Sequence, residues 1–489
     1  MSSRPRVATR CARHLSHAAS LLGATALTAV SFIGTPAIGQ DLSETQTTIL
    51  ERITVIAQRG TKNVLEVPQN VTVIDGEVIE DHVVRDIQDL VRYEPGVSVN
   101  RQTSLTNPFG QLTGFSIRGV SGNRVQMLVD GARIQEGITD GSRDFVDPWN
   151  MKQVELIRGP NSVLWGADAL GGTVAFETID PSDLLDGSDK PWAVEIKTAW
   201  DSLDNSFRQQ ITGAYDFGDV QVLGSIGHLS AEEAELSNAD PDGGIWGCSR
   251  PDYFGCDELF PAETDAVNGL AKLVWTPNAE HEVTVTGEFF SRQTEIDQVW
   301  DSQAENPLVA SYPSYYYASE SYIRNLDMSR TRLAVEHDWQ VGTDWLDSID
   351  WKLSWSPQTR DTTSVQLRNY LLYTPAQLRE LTKIRNYGED FLEADVQMVS
   401  SFGLGESFHT LTYGFDGDIS WSDYDGTDIT DNQTTGVVTT TEGNGFNFPA
   451  VETVRADFYI QDEIKLLDDR LTLTPGVRLV NYSLDPTVD

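Results

Sequence analysis

The chain has 489 residues, with 35 basic against 74 acidic side chains and a formal net charge of −39. An acidic surplus of that size repels nucleic acid and anionic lipid, and excludes both as general partners. No apolar run reaches the roughly 18 residues that mark a membrane-spanning helix, so an acidic soluble enzyme and a membrane β-barrel are the classes left.

At the N-terminus, Arg4, Arg6, Arg10 and Arg13 precede an apolar stretch from Ala18 to Ile33 and the small-residue pattern Pro36-Ala37-Ile38-Gly39. Residues 1–39 read as a secretory signal cut near Gly39 or Gln40, with a mitochondrial transit peptide as the rival. Residues 40–60 form a polar tail around one β-branched island, Ile53-Thr54-Val55-Ile56-Ala57. The island suits an added β-strand, with an ordinary first strand of the domain that follows as the alternative.

Residues 61–180 predict a compact α+β domain. Val84, Ile87, Leu90 and Val91 stand at helical spacing before Pro95-Gly96. "FSIRGVSGNRVQMLVDGARI" (115–134) reads as strand, tight turn, strand and hairpin. "MKQVELIRGPNSVLWGADALGGTVAFET" (151–178) reads as strand, Gly-Pro turn, small-residue turn and strand. Its glycines match neither the Walker nor the dinucleotide spacing, and no G-x-S-x-G occurs in the chain, so phosphate cradling and triad catalysis are excluded.

From residue 190 to 489 the pattern becomes repetitive. Eleven candidate strands run over 192–202, 206–216, 219–230, 265–276, 281–293, 327–339, 351–363, 387–402, 407–422, 454–466 and 470–482. Each is near the roughly 9–11 residues of a tilted membrane strand. Loops after odd strands are mostly long (231–264, 294–326, 364–386, 423–453), whereas turns after even strands are mostly short. Sorting by parity is the signature of an up-and-down outer-membrane barrel. An odd count cannot close a barrel without leaving an edge in hydrocarbon, so the expectation is a chain lacking the C-terminal half. Cys248 and Cys256 in "GCSRPDYFGC" suggest a disulfide at a loop tip, with a metal site as the weaker reading. By strand position His281, His337 and His409 fall at the inner strand ends, His82 at a helix entry, and His228 on the face of Ile226.

Taken in order, "IRG", "VDG" and "VELIRGPNSVLWGADALGGTV" resemble the plug domain of TonB-dependent outer-membrane receptors, and Ile53, Thr54, Val55, Ile56 and Ala57 resemble their TonB box. The resemblance implies a transmembrane antiparallel β-barrel of about 22 strands, about 11 of them present here, with an N-terminal α+β plug inside the lumen. Its domains are a signal peptide (1–39), a periplasmic tail (40–60), a plug (61–180) and half a barrel (190–489). It implies no enzymatic activity and no enzyme cofactor, but TonB with its inner-membrane energising complex as partner, and outer-membrane lipid around the wall. "DIQDLVRYEPGVSV" and "FYIQDEIKLLDDRLTLTPGVRLVNYSLDP" are similar to the branch that takes up haem, or iron from haemoglobin, transferrin or lactoferrin. Haem, a haem protein or a ferric siderophore is then the transported ligand; a barrel-anchored surface adhesin or hydrolase is a third reading. Plug arginines Arg118 and Arg158 are expected to pair with barrel glutamates, or else to cap turns within the plug. The plug apex (100–114) carries no histidine for haem, which leaves Tyr315, Tyr316 and Tyr317 as ligand candidates against a packing role. Any metal ligand stays unassigned.

Overall fold

Two strands whose backbones are already written in the quoted motifs organise the first domain. β8 (Met151–Arg158) and β9 (Gly172–Thr178) pair antiparallel, and β6 (Val125–Val129) joins β9 in parallel. With β3 (Asn70–Asp75) and β7 (Ala132–Arg133) they make a five-stranded mixed sheet in the order β3-β8-β9-β6-β7. The computed structural model describes residues 53–54, 59–60, 62–63, 67–102, 109, 111–134, 143–233, 261–298, 303–305, 309–443 and 450–487. The expectations for the export signal, for Val55, Ile56 and Ala57, and for Cys248 and Cys256 lie outside these residues.

All five residues of β6 are buried, as a central strand covered on both faces requires. Ile117, Val125, Met127, Leu156, Val174 and Phe176 form the centre of the plug core. Val84, Ile87, Leu90 and Val91 are buried there too, but the helix they belong to is only Ile87–Leu90. Asp86 caps it, accepting from the backbone N–H of Gln88 and Asp89. A second short helix, Gly76–Asp81, is capped by Asp75, and His82 closes it. The two-stranded pair Val97–Gln102 and Gln111–Ile117 carries the apex. Ahead of the plug, Ile53–Thr54 pairs antiparallel with Lys62–Asn63 in a small sheet of its own.

The remaining strands form one antiparallel sheet of fourteen segments. They make eleven passages at the places the hydropathy pattern gives. Pro357 interrupts the passage of Leu346–Trp355 and Gln358–Tyr370, and Pro475 interrupts that of Leu471–Leu473 and Gly476–Thr487. Proline has no N–H to give a ladder, so each leaves a local break. The third extra segment, Val437–Glu442, folds back on the outer end of Ser407–Asn432.

Alternation sorts the side chains. In Ser206–Asp216, Arg208, Gln210 and Thr212 are buried toward the plug, whereas Phe207, Ile211 and Tyr215 are exposed on the opposite face. The same outward face carries Trp339, Trp345, Trp351, Trp355 and Trp421, an apolar band edged by aromatics as a lipid-facing wall requires.

The long outer loops need correction. Residues 364–386 and 423–453 are largely strand: Gln377–Leu404 has 28 residues and Ser407–Asn432 has 26. At about 3.3 Å per residue the longer extends roughly 90 Å, far beyond a hydrocarbon core of about 30 Å. Polar composition suggested loop, but backbone pairing continues into water whatever the side chains.

Gly172, at φ +151°, allows β9 to close on β8: a Cβ there would lie 2.7 Å from Ile117 Cδ1 and collide with the Ile157 carbonyl. Gly172→Ala is expected to destabilise the plug by about 1–3 kcal/mol, read as a lower midpoint for its unfolding in urea with the barrel transition unchanged.

Candidate functional site

Beside apolar patches such as Phe145 with Leu326 and Met328, a series of charged contacts runs between plug and wall. The Asp130-Gly131 turn after β6 is the first of them. Asp130 accepts from the Thr178 backbone N–H at 2.8 Å and from the Thr178 hydroxyl at 2.9 Å. From the wall, Arg332 pairs with Asp130, and its Nε donates to Glu288 at 2.5 Å. Lys352 Nζ donates to the Asp130 carbonyl. Gly131, at φ +72°, is open for that ammonium, since a Cβ would sit 2.5 Å from it. Burial alone would raise the Asp130 carboxyl, but the Lys272 and Arg332 cations hold it well below the usual carboxylate range.

A second cluster converges on Asp416. Plug Arg133 reaches it at 3.1 Å, wall Arg455 at 2.6 Å and wall Arg478 at 2.6 Å, with Arg59 at 3.5 Å. Arg133 also donates its backbone N–H to Glu393 at 2.9 Å and its guanidinium to the Trp165 carbonyl at 3.1 Å. Arg478 donates to the Leu164 carbonyl at 2.9 Å. The short helix Ser162–Trp165 in the glycine-rich stretch is thereby bound from both sides, and Gly166 turns the chain where a Cβ would lie 2.8 Å from the Arg133 guanidinium.

Arg59 lies two residues beyond Ala57. Its guanidinium donates to Asp395 at 2.7 Å and to the Tyr459 hydroxyl at 2.9 Å, and stacks 4.1 Å from the Trp165 ring. Gln397 holds its carbonyl at 2.7 Å. Further pairs complete the seat: Asp144 with Arg292 at 2.8 Å, Asp180 with Lys272 at 2.7 Å, Arg85 with Asp201 at 2.7 Å, and Asp147 with Arg208. Beside these contacts a polar cavity of about 950 Å³ separates plug from wall, lined by Arg59, Asp130, Lys152, Lys272, Glu336 and Lys352.

The two arginines singled out from sequence behave differently from the expectation of plug–barrel pairing. Arg158 pairs with Glu94 and donates to Asn70 at 3.1 Å and Thr72 at 2.6 Å, all within the plug. Arg118 is exposed at φ +50°, with its backbone N–H on the Gly96 carbonyl at 2.7 Å, and no carboxylate among the described residues pairs with it. Both therefore serve turns and strands of the plug. The arginines that do reach wall carboxylates are Arg59, Arg85 and Arg133, and the acids are Asp201, Glu393, Asp395 and Asp416. A signal existed: "EADVQ" and "DGDIS" put Glu393, Asp395, Asp416 and Asp418 at alternating, inward positions of neighbouring strands, where bare carboxylates demand cations.

Above the plug, Tyr317 is 5% exposed, beneath Arg368 at 4.2 Å. Tyr316 is half-buried, while Tyr315 is exposed edge-on to Tyr312. His228, His281, His337 and His409 alternate onto the outward face, where His281 stacks on His337 and His409 on Phe402. None of these four wall histidines faces the lumen.

A small mixed domain seated by ion pairs against an antiparallel, outwardly apolar wall is the architecture of a plugged-barrel receptor. Two family models agree with that and with each other: "TonB-dependent Receptor Plug Domain" matches residues 63–173 and "TonB dependent receptor-like, beta-barrel" matches 274–489. The chain belongs to the TonB-dependent receptors. It is 33% identical over 213 residues to the hemoglobin and hemoglobin-haptoglobin-binding protein of Haemophilus ducreyi, covering 40% of this chain and 20% of that one. Against transferrin-binding protein A of Neisseria meningitidis identity is 34% over 160 residues, 30% of this chain and 17% of the relative. The hemin receptor of Yersinia pestis is 24% identical over 454 residues, 91% of this chain and 56% of the relative. The chain thus spans well under two thirds of these curated relatives. In fold it is similar to the ferripyoverdine receptor of the outer membrane of Pseudomonas aeruginosa, at TM-score 0.61, 15% identity, 90% of this chain and 55% of that one. The ferric preacinetobactin receptor of Acinetobacter baumannii gives TM-score 0.56 at 15% identity, over 89% and 61%.

Asp416→Asn leaves several buried cations short of their anion and is expected to loosen the plug seat by about 3–5 kcal/mol, measured as release of the plug at lower denaturant while the barrel stays folded. Because the Asp130 carboxyl is depressed when folded, its contribution is complete above the unfolded carboxylate range near pH 4 and is lost as pH falls through the lower folded value. Its share of the seat, taken as the difference between wild type and Asp130→Asn in plug-release stability, should be constant from pH 7 to 5 and shrink below about pH 4.

Proposed function

We propose that this receptor imports an iron source, haem or haem-protein iron, across the bacterial outer membrane, its plug being rearranged when TonB pulls on the N-terminal segment. The observation that carries the reading is the position of Arg59. It lies directly behind Ile53–Ala57 and joins that segment to Asp395, Tyr459 and Trp165, so tension applied to the segment reaches the ion-pair seat first. The outer membrane holds no ATP or usable ion gradient, and a strand added to Ile53, Thr54, Val55, Ile56 and Ala57 is a means of transmitting work from the inner membrane.

An ion pair in a wet lumen suits such a device. Once separated, both ions are taken up by water, whereas a single exposed apolar core would collapse or aggregate. The 950 Å³ polar cavity beside Arg59 provides that water at the point of separation. The outward tryptophans and the apolar band support a multi-pass position in the outer membrane.

Haem is favoured by the curated relatives, whose names refer to hemin, hemoglobin and transferrin. A ferric siderophore is the second reading, favoured by the lack of a lumen-facing histidine on the described wall strands. Growth decides between them. Cells with this receptor as their only route should grow on haem as sole iron source and show a Soret shift on the purified receptor; binding of a ferric siderophore with no response to haem would overturn the first reading. Val55→Pro should abolish import with ligand affinity nearly unchanged, and full import by that variant would remove the TonB-box assignment.

A further inference from the structure

Near the outer end of the wall, two arginines stand directly opposite each other. In the register of Gln358–Tyr370 with Gln377–Leu404, Arg368 faces Arg379. Like charges across a strand pair repel, and this chain has acids to spare, so a carboxylate partner is the expected remedy. None is present. Among the described residues neither arginine pairs with a carboxylate: their flanking partners in the sheet are Ser319 and Asn432. The acids one position away, Glu380 and Asp431, face each other across the sheet and alternate onto the other face.

The guanidiniums are instead fixed by neutral groups. Arg368 Nε donates to Gln366 Oε1 at 2.7 Å, and Gln366 is held in turn by the Ser319 hydroxyl at 3.0 Å. Arg379 Nε donates to Gln377 Oε1 at 3.1 Å, which also accepts from Asn432 at 3.1 Å. Tyrosine rings carry their flat faces: Tyr317 under Arg368 at 4.2 Å, Tyr370 under Arg379 at 4.6 Å, and Tyr373 beside it at 5.1 Å. Both arginines remain partly open to solvent. They share the inward parity of buried Gln366 and Tyr370, and so face the vestibule above the plug.

We infer that Arg368 and Arg379 form an anion clamp that takes the carboxylates of an aromatic, acid-bearing cargo at the vestibule rim. The clamp rests on the import reading for its biological use, but its chemistry stands on the register itself. Each guanidinium has its stem and one edge fixed by a glutamine, which orients the remaining N–H groups as a fork for oxygen. A dianion placed between them removes the cross-strand repulsion, and the adjacent tyrosines offer faces to a flat ring system. The site selects for charge before the ligand descends to the apex.

The test titrates the receptor in detergent micelles with protoporphyrin IX and with its dimethyl ester, which has the same ring system and no acids. Wild type should bind the diacid at least about tenfold more tightly than the ester. Arg368→Gln with Arg379→Gln should lose that preference, with ester affinity unchanged, and Arg368→Lys with Arg379→Lys should recover part of it. Equal loss of both probes, or diacid binding at the wild-type level in the glutamine double variant, overturns the clamp. Ferric citrate is the second anionic probe. If cells fail to grow on haem yet the double variant still loses ferric citrate binding, the haem reading falls and the clamp stands. If cells grow on haem and the double variant binds both anions as wild type does, the clamp alone falls.

Discussion

Asp416 accepts from Arg133 of the plug and from Arg455 and Arg478 of the wall, and lies within ion-pair distance of Arg59. The rest of the architecture follows from this convergence. A strand facing lipid on one side must turn its polar residues inward, and inward carboxylates need cations or they cannot remain charged out of water. The plug supplies Arg133, the segment ahead of it Arg59, and the wall Arg455 and Arg478. Plug and wall are therefore each incomplete in charge without the other, although each has its own backbone ladder.

That arrangement separates two kinds of stability. The plug owns an apolar core, with Val125, Met127, Val174 and Phe176 fully enclosed, which keeps its fold. Its attachment to the wall joins those ion pairs to three apolar patches: Tyr459 with Leu164 and Trp165, Phe145 with Leu326 and Met328, and Leu184 with Leu223 and Leu270. A domain can then change its seat without first dissolving its centre. Arg59 gives the N-terminal segment a direct grip on that seat, and the glycine-rich stretch, through Trp165 and Gly166, is gripped by the same arginines. Glycine there lets backbone and guanidinium meet at close range, a use unrelated to phosphate.

Much of the fold was legible from residue order. Alternating hydropathy located the passages of the wall, the parity of loop lengths gave their up-and-down order, and the motifs around Gly119, Gly131 and Gly159 marked plug strands, though not Asn70–Asp75. Helix limits were not, because Val83 at φ +48° turns the chain between two short helices, and hydrophobic spacing reports burial rather than helical backbone. The outer strand ends were hidden for a related reason: beyond the bilayer nothing selects apolar residues, so paired strand and loop look alike. For the site, the arginines of "IRG" and "IRGP" drew attention, yet Arg158 is spent inside the plug on Glu94. The informative pattern lay in the wall, where Glu393, Asp395, Asp416 and Asp418 repeat at every second residue. The register that sets Arg368 against Arg379 runs unbroken past Pro357 and is fixed by the pairing of the whole passage, which no single-strand pattern reveals.

Charge pairs, more than plug core packing, are expected to set the force needed to unseat the plug. Single-molecule pulling through a TonB fragment bound at Ile53–Ala57 measures that force directly. Arg59→Leu combined with Arg133→Leu should sharply lower the first rupture force, while Met127→Ala, which weakens the plug core, should leave that first event unchanged and lower only later ones. A first rupture that follows Met127→Ala and ignores the two arginines would contradict that expectation.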